Sequence, residues 1–216
     1  MAEGGATPGR VGRTGRPRLT ERRKAATRLE IALEAVRLFK ARGVARASAE
    51  DIADAAGISV RTLWRYFPSK ESCVLPLLTA GIEAVAGALR AWPAGEGVDA
   101  LLGHLKGAAA GAATDLSTLL DLVRLTRTEP GLRAVWMQAH DDAEPVFAAA
   151  LAARSGEPAE SLHIRVQAAM INAALRAAVE HHAWQTTPPE EPDAGFAQLI
   201  DAIRTALRTA ARGLPG

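Results

Sequence analysis

The side chains best suited to chemistry lie close together in residues 48–71, which read SAEDIADAAGISVRTLWRYFPSKE. The segment combines arginines with serine, threonine and tyrosine hydroxyl groups. A guanidinium group can donate two hydrogen bonds to guanine in the DNA major groove, and hydroxyl and ammonium groups suit phosphate oxygens. These residue types therefore predict recognition of a nucleic acid.

Base contacts and phosphate contacts require different side chains within this segment. Arg61 can bind guanine through its planar fork, and Val60 can contact the methyl group of thymine. Arg65 could bind either a base or a phosphate. Phosphate contacts fix the position of a protein on DNA without reading the sequence. The side chains expected to bind phosphate are Ser48, Thr62, Tyr66 and Lys70, and Ser59 and Trp64 complete the candidate interface.

The distribution of charge agrees with a polyanion as partner for one end of the chain. Of the 26 Lys and Arg and the 24 Asp and Glu, 15 basic and 8 acidic residues lie at or before Glu71, a formal net charge of +7. The remaining residues hold 11 basic and 16 acidic side chains, a net charge of −5. A basic first third on an acidic body predicts that only the first third meets DNA.

Residues 1–19 are rich in Gly, Arg, Pro and Thr and hold almost no apolar side chains, so we expect a flexible basic arm. Three of its arginines, Arg13, Arg16 and Arg18, could enter the minor groove beside the main interface. The alternative is a tail that only aids solubility.

The elements that position these side chains are predicted to be helices. Apolar residues at steps of three and four predict a first helix of about 22 residues that begins at Thr20 and stops at Gly43. Ser48 followed by Asp51 predicts a capped short helix that ends at Gly57. A second short helix is expected to begin at Ser59.

The rest of the chain reads as Ala-, Leu- and Arg-rich helical segments separated by turns such as Trp92-Pro93-Ala94-Gly95. Pro76 should kink or delay one helix, and Pro145 should kink or break another. No segment alternates β-branched and polar residues with a period of two, so we predict an all-α fold of about nine helices. The helical segments are expected at residues 69–90, 98–113, 115–128, 131–154, 158–184 and 192–212.

The two short helices and the turn around Gly57 resemble the helix-turn-helix of the TetR family of bacterial transcriptional repressors. The resemblance covers residues 20–75 in detail, whereas Trp64 departs from it because the family usually has Tyr or Phe there. The matching residues are Ile52-Ala53, Ala56-Gly57-Ile58-Ser59, Thr62-Leu63, Tyr66-Phe67 and Ser69-Lys70-Glu71. We expect Ile52, Ala53, Ile58, Leu63 and Phe67 to pack on a face of the first helix formed by Leu33, Val36 and Phe39.

This resemblance implies a domain organisation and a set of partners. Residues 20–70 would form the DNA-binding domain, and residues 71–216 would form a domain that senses a ligand and dimerises. The chain would bind a palindromic operator as a homodimer and leave it when a small molecule binds, and a hydrophobic or acyl-CoA-like effector is one candidate. The competing hypotheses are a helical carrier of small molecules and an architectural DNA-binding protein without an effector.

Two sets of residues in the second domain follow from this interpretation. The dimer interface is expected to use two apolar stripes on the last two helices: Leu162, Val166, Ala169, Ala173 and Ala177, with Met170 beside them, and then Phe196, Leu199, Ile200, Ile203 and Leu207. The ligand is expected to contact Leu105, Leu122, Leu125, Trp136, Phe147, Met170 and Asn172, with Met137 a further candidate.

Catalysis is not expected, because no spacing fits a catalytic or metal site. Glu160 and His163 form one Glu-x-x-His, and a di-iron bundle needs two. His181 and His182 are adjacent, so their side chains diverge on a helix. Cys73 reads as an inert buried thiol. We therefore expect no cofactor and no metal. A single cysteine cannot form an internal disulfide, and the longest uncharged stretches are too short to span a membrane, so we expect a cytoplasmic protein.

Overall fold

The computed structural model describes residues 15–110, 116–185 and 192–213. These residues form nine α-helices and no strand, so the all-α prediction is confirmed. A 3-10 helix at Glu71–Val74 separates α3 from α4. The helices are α1 Gly15–Arg42, α2 Ala49–Ala55, α3 Val60–Tyr66, α4 Leu75–Ala91, α5 Val98–Ala110, α6 Leu116–Leu125, α7 Pro130–Ser155, α8 Leu162–Gln185 and α9 Pro192–Arg212.

The first helix begins five residues earlier than predicted, at Gly15 rather than Thr20. Residues 15–19, which we expected in the flexible arm, are therefore helical. Pro17 is compatible with this start, because the first four amide groups of a helix have no carbonyl partner within it. Arg16 and Arg18 belong to the first turns of α1, and Arg13 and the rest of residues 1–14 lie outside the described residues.

Local sequence signals set the geometry of the two short helices. The Ser48 hydroxyl accepts a hydrogen bond from the backbone N–H of Asp51 at 3.0 Å, and the Asp51 carboxylate accepts one from the backbone N–H of Ser48 at 2.9 Å. Gly57 has a φ of 65°, which other residues adopt at a steric cost. The Ser59 hydroxyl accepts from Thr62 N–H at 3.2 Å and caps α3. The predicted caps and the predicted turn are confirmed.

An apolar cluster joins α2 and α3 to α1. Ile52, Ala53, Leu63 and Phe67 are buried in it, together with Val36 and Phe39 of α1, and Ile58 packs against it. Leu33 is 37% exposed, so the prediction that Leu33 belongs to the contact face is wrong. The buried face of α1 follows instead from the helical register of Ile31, Ala32, Ala35, Val36, Leu38 and Phe39.

Two prolines affect the body differently. Pro76 lies at the start of α4, where it costs no helical hydrogen bond, so it delays the helix as predicted. Pro145 lies inside α7, which runs from Pro130 to Ser155 without a break. Burial of Ala143, Phe147 and Ala148 on both sides of Pro145 holds the helix together at the missing hydrogen bond.

Helix α4 is the core element of the second domain. It packs against α1, α5 and α7. Among the described residues, Glu71–Ala91 is the segment long and apolar enough, with a mean hydropathy of 1.7, to cross a membrane by length and composition. The fold accounts for most of its apolar side chains, because Leu77, Leu89 and others are buried, Leu75 packs against the core, and Ile82 and Val85 line a cavity. Cys73, just before α4, is buried, and this burial raises the pKa of its thiol to about 12.

Candidate DNA-binding surface and ligand cavity

Helix α3 presents one polar face to solvent. Within α3, Leu63 is the buried residue, whereas Arg61, Trp64 and Arg65 are exposed. Because residues three and four positions apart share a face of a helix, these three side chains point to the same side. The Trp64 side chain is 46% exposed, a large fraction for an indole ring. This face offers two guanidinium groups and one aromatic ring for contact with another molecule.

Other predicted DNA-binding residues of α3 are partly occupied within the protein. Val60 and Tyr66 are half-buried and pack against the core cluster. The guanidinium carbon of Arg65 lies 5.3 Å from the centre of the Tyr66 ring, which orients the Arg65 side chain. Ser59 and Thr62 share a hydrogen bond between their hydroxyl groups at 2.9 Å. Their position at the N-terminus of α3 still favours an anion such as phosphate.

Ser48 and Lys70, which are predicted to bind phosphate, also make hydrogen bonds within the protein. The Ser48 hydroxyl lies 2.9 Å from the Asp51 carboxylate and donates its proton there. Hydrogen bonds from Ser48, with Arg42 nearby, lower the pKa of Asp51, so this acceptor is ionised at neutral pH. The Lys70 ammonium group donates to the carbonyl oxygens of Val44 at 2.6 Å and Ala47 at 3.0 Å. Both side chains hold the turn between α1 and α2 in place.

An apolar cavity of about 450 Å³ lies inside the second domain, within the usual range for a small-molecule site. Helices α4 to α9 all contribute to its wall. Leu105, Trp136 and Phe147 line it, as predicted for ligand contacts. Most of the wall comes from α4 and α9, and the residues from these helices are Leu77, Leu78, Ala80, Gly81, Ile82, Ala84, Val85, Phe196, Leu199, Ile200 and Ile203.

Four predicted ligand contacts and the further candidate Met137 are absent from the cavity wall. Leu122 is buried in the cluster beneath α1, and Leu125 packs against that cluster, because α6 turns Leu116 and Leu119 toward the cavity instead. Met170 is 38% exposed on the outer side of α8, and the other candidate, Met137, is 39% exposed on α7. Asn172 is buried but reaches the cavity only through its neighbour His140.

Sequence reasoning missed His140, the polar side chain of the cavity wall in the described part of the chain. Its Nδ1 atom lies 2.6 Å from Oδ1 of Asn172, and its ring meets the Trp136 ring edge to face with a centroid distance of 4.2 Å. The spacing of Trp136 and His140, one helical turn apart, is the signal that could have linked them. Burial lowers the pKa of His140, so the ring is neutral at neutral pH.

A buried carboxylate supports the wall from behind. Glu180 on α8 is 8% exposed, and its Oε1 atom accepts a hydrogen bond from Nε1 of Trp136 at 2.6 Å. The same oxygen pairs with Arg133, and the guanidinium of Arg176 lies 3.7 Å away. Two cations and an N–H donor offset the cost of removing this charge from water. The position of Trp136 in the cavity wall depends on this cluster.

The two stripes predicted to form the dimer interface have different surroundings. On α8, Leu162 is 77% and Val166 46% exposed, and Ala169, Met170, Ala173 and Ala177 continue the same face with no described helix over it. On α9, Leu199, Ile200, Ile203 and Leu207 are buried and Phe196 is half-buried. The prediction that this α9 stripe forms the dimer interface is wrong, because the stripe packs inward on α8 and α5 and closes the cavity.

Similarity to known proteins covers both domains. Residues 31–77 match the family model of bacterial regulatory proteins of the tetR family, and residues 96–215 match the MftR C-terminal domain. The chain is 30% identical over 202 residues to the HTH-type transcriptional regulator TcmR of Streptomyces glaucescens, with 88% of each chain covered.

Solved structures share the fold at lower identity. A putative TetR-family transcriptional regulator from Mesorhizobium loti has a TM-score of 0.54 and 18% identity, covering 87% of this chain and 98% of its own. Thermus thermophilus FadR in complex with lauroyl-CoA has a TM-score of 0.50 and 21% identity, covering 88% and 95%. A capped helix-turn-helix with an exposed arginine face, joined to a helical domain that matches along most of its length, leaves one assignment: the chain belongs to the TetR family of bacterial transcriptional regulators.

Proposed function

We propose that this chain is a cytoplasmic repressor that binds a palindromic operator as a homodimer and leaves it when a small, largely apolar molecule fills the cavity. The observation that carries the proposal is that the cavity and the DNA-binding domain share one apolar core. Leu77, Leu78 and Trp136 line the cavity and also belong to the cluster that buries Ile52 and Leu63 beneath the DNA-binding surface. A ligand that moves α4 or α7 therefore moves the base on which α2 and α3 rest.

A second contact between the domains supports the same coupling. The first turn of α7 touches the 3-10 helix, where a Cβ added to Gly131 would lie 2.9 Å from Cγ of Glu71. Release of DNA would follow if the ligand prefers the arrangement in which the two copies of α3 are wrongly spaced. The preference must amount to several kcal/mol for a tight switch, since moving a two-state equilibrium from 1:99 to 99:1 takes about 5.5 kcal/mol.

The DNA-binding face supports the operator geometry. In a two-fold dimer the copies of α3 would enter successive major grooves, about 34–36 Å apart, and read half-sites related by an inverted repeat. Arg61, Trp64 and Arg65 would meet base edges or phosphates, while the N-terminus of α3 would face a phosphate. Arg16 and Arg18, at the start of α1, would extend the contact toward the minor groove.

The dimer is proposed to form through the exposed stripe of α8, since Leu162, Val166 and Met170 leave a row of apolar surface uncovered in a single chain.

Val166→Asp, at the centre of the stripe, should convert the dimer to a monomer without unfolding the chain. The reason is that a charge within a dimer interface loses its hydration, whereas the same charge on the surface of a monomer remains hydrated. Sedimentation equilibrium measures the mass, and circular dichroism checks the helix content. Met137→Asp, at a similarly exposed site on α7, is the matched control and should leave the mass unchanged.

A dimer that persists in Val166→Asp, with a folded wild-type dimer as reference, would place the interface on another surface. A wild-type protein that stays monomeric at the concentrations where it binds DNA would contradict the homodimer itself.

The experiment that tests the proposed function is selection of bound sequences from random duplex DNA at physiological salt, where non-specific ionic contacts are screened. Enrichment of an inverted repeat is the expected result. Enrichment of no sequence by a folded dimer would favour a carrier of small molecules, and tight binding to all sequences alike would favour an architectural protein.

The class of effector is supported by the wall and by a structural relative. The wall suits an apolar body, and FadR of the same fold binds lauroyl-CoA in its crystal structure. An apolar effector, with an acyl chain among the candidates, is consistent with both.

A further inference from the structure

In the part of its wall formed by residues 77–85, 105, 116–119, 136–147, 175–179 and 196–203, the cavity offers an occupant one free polar group in apolar surroundings. The other lining side chains in the described part of the chain are aliphatic or aromatic, and they include no lysine, arginine or carboxylate. The indole N–H of Trp136 is already bonded to Glu180 at 2.6 Å. His140 is therefore the side chain in this wall that can set the chemistry of the polar end of a ligand.

The hydrogen bonds of Asn172 fix which nitrogen of His140 carries the proton. The Asn172 amide nitrogen donates to the backbone carbonyl oxygen of His140 at 2.7 Å and lies 3.4 Å from a carboxylate oxygen of Glu144. Both of these oxygens are acceptors, so the side-chain atom of Asn172 that faces them is its NH₂ group. The other side-chain atom, Oδ1, therefore accepts the hydrogen bond from Nδ1 of His140. The proton of the neutral ring is thus on Nδ1, and Nε2 has a free lone pair.

The surroundings keep the ring in this neutral form. Burial lowers the pKa of His140, and the nearby guanidinium groups of Arg176 and Arg133 lower it further. The hydrogen bond with Asn172 and the charge of Glu180 act in the opposite direction but are the smaller effects together. His140 lines the cavity and Asn172, which engages Nδ1, does not, so Nε2 is the ring nitrogen left for an occupant, and in the neutral ring it is a hydrogen-bond acceptor.

We propose that the effector is an uncharged, largely apolar molecule with a hydroxyl group that donates a hydrogen bond to Nε2 of His140. A carboxylate in the same place would set its lone pairs against that of Nε2 and would lose its hydration without a cation in the wall. Arg133 and Arg176 do not supply one, because both are paired with Glu180. The inference rests on the proposed function only in naming the ligand an effector; the binding preference belongs to the cavity itself.

The test compares three probes, each built on an unbranched ten-carbon chain: n-decanol, its methyl ether (decyl methyl ether) and decanoate. Binding of each to the full-length protein is measured by isothermal titration calorimetry at neutral pH. We expect the ether to bind about threefold to tenfold more weakly than the alcohol, the value of one neutral hydrogen bond, and decanoate more than tenfold more weakly. In His140→Phe the alcohol should lose its advantage over the ether. In Phe147→Leu, the control that alters the wall without altering its polar group, the advantage should remain.

Each contrary outcome overturns the inference. These outcomes are decanoate binding as tightly as n-decanol, the ether matching the alcohol in the wild-type protein, an unchanged preference in His140→Phe, or no binding of any probe. The wild-type comparison decides the matter even if a variant fails to fold. Because the assay contains no DNA, its result is independent of the proposed function. If the protein selects an inverted repeat but binds decanoate best, the proposed regulatory function stands and only the hydroxyl-bearing effector is excluded.

Discussion

Replacing Arg61 by alanine is expected to weaken binding to the selected operator by roughly thirtyfold to twenty-thousandfold while leaving binding to random DNA nearly unchanged. A lost bidentate contact between arginine and guanine costs about 1–3 kcal/mol. A two-fold dimer loses it in both half-sites, about 2–6 kcal/mol in total, and each 1.4 kcal/mol is a factor of ten in affinity. The fold should be retained, because Arg61 is exposed and alanine is a better helix former.

Fluorescence anisotropy with operator and random duplexes, over a range of salt concentrations, measures both affinities. Arg90→Ala, which removes the same charge from an exposed site on α4, should change neither by much. If Arg61→Ala instead lowers both affinities by the same factor and makes the salt dependence less steep, Arg61 binds a phosphate rather than a base. Selection of binding sites with the variant would separate these roles directly, since only loss of a base contact relaxes the sequence preference at one position of each half-site.

The DNA-binding domain could be predicted from sequence because short-range signals determine it. Ser48 with Asp51, Gly57 and Ser59 act within four residues of their partners, and each has the predicted geometry. What these signals could not reveal is competition for the same atoms. Lys70 has the right chemistry for phosphate, but the backbone carbonyl oxygens of Val44 and Ala47, more than 20 residues away in the chain, already accept its hydrogen bonds. Ser48 differs, because its partner Asp51 is the local capping residue three positions on.

The second domain was less predictable because a helical stripe identifies an apolar face and not its partner. The stripes of α8 and α9 look alike in sequence, and both were predicted to form the dimer interface. In the structure α9 turns its stripe inward, where Leu199 and Ile203 line the cavity, whereas α8 leaves Leu162 and Val166 uncovered. Which stripe is covered depends on contacts between helices that are distant in the chain.

Polar residues of the cavity region show the same limit. Asn172 was predicted to contact a ligand, but it instead fixes His140, whose role depends on α7 and α8 lying side by side. Glu180 carries no sequence signal of burial, since an isolated glutamate in a helix is usually exposed. Its partners Arg133 and Trp136 are more than 40 residues away in the chain.

Glu180→Ala is expected to lower the free energy of unfolding by about 2–4 kcal/mol, because it leaves Arg133 without its counter-charge and the buried N–H of Trp136 without an acceptor. The expected loss of stability lies toward the lower end of the range for breaking a buried ion pair, because a third of the Arg133 side chain is exposed to solvent. For a chain of this length the melting temperature should fall by roughly 4–16 °C, which differential scanning calorimetry measures at a fixed protein concentration. Glu83→Ala, at an exposed site on α4, is the control and should change stability by less than about 0.5 kcal/mol.

Since Trp136 holds the His140 ring at 4.2 Å, Glu180→Ala should also weaken binding of n-decanol. A variant as stable as the control would mean that the desolvation of Glu180 cancels its hydrogen bonds, and that Trp136 and His140 are held by packing alone.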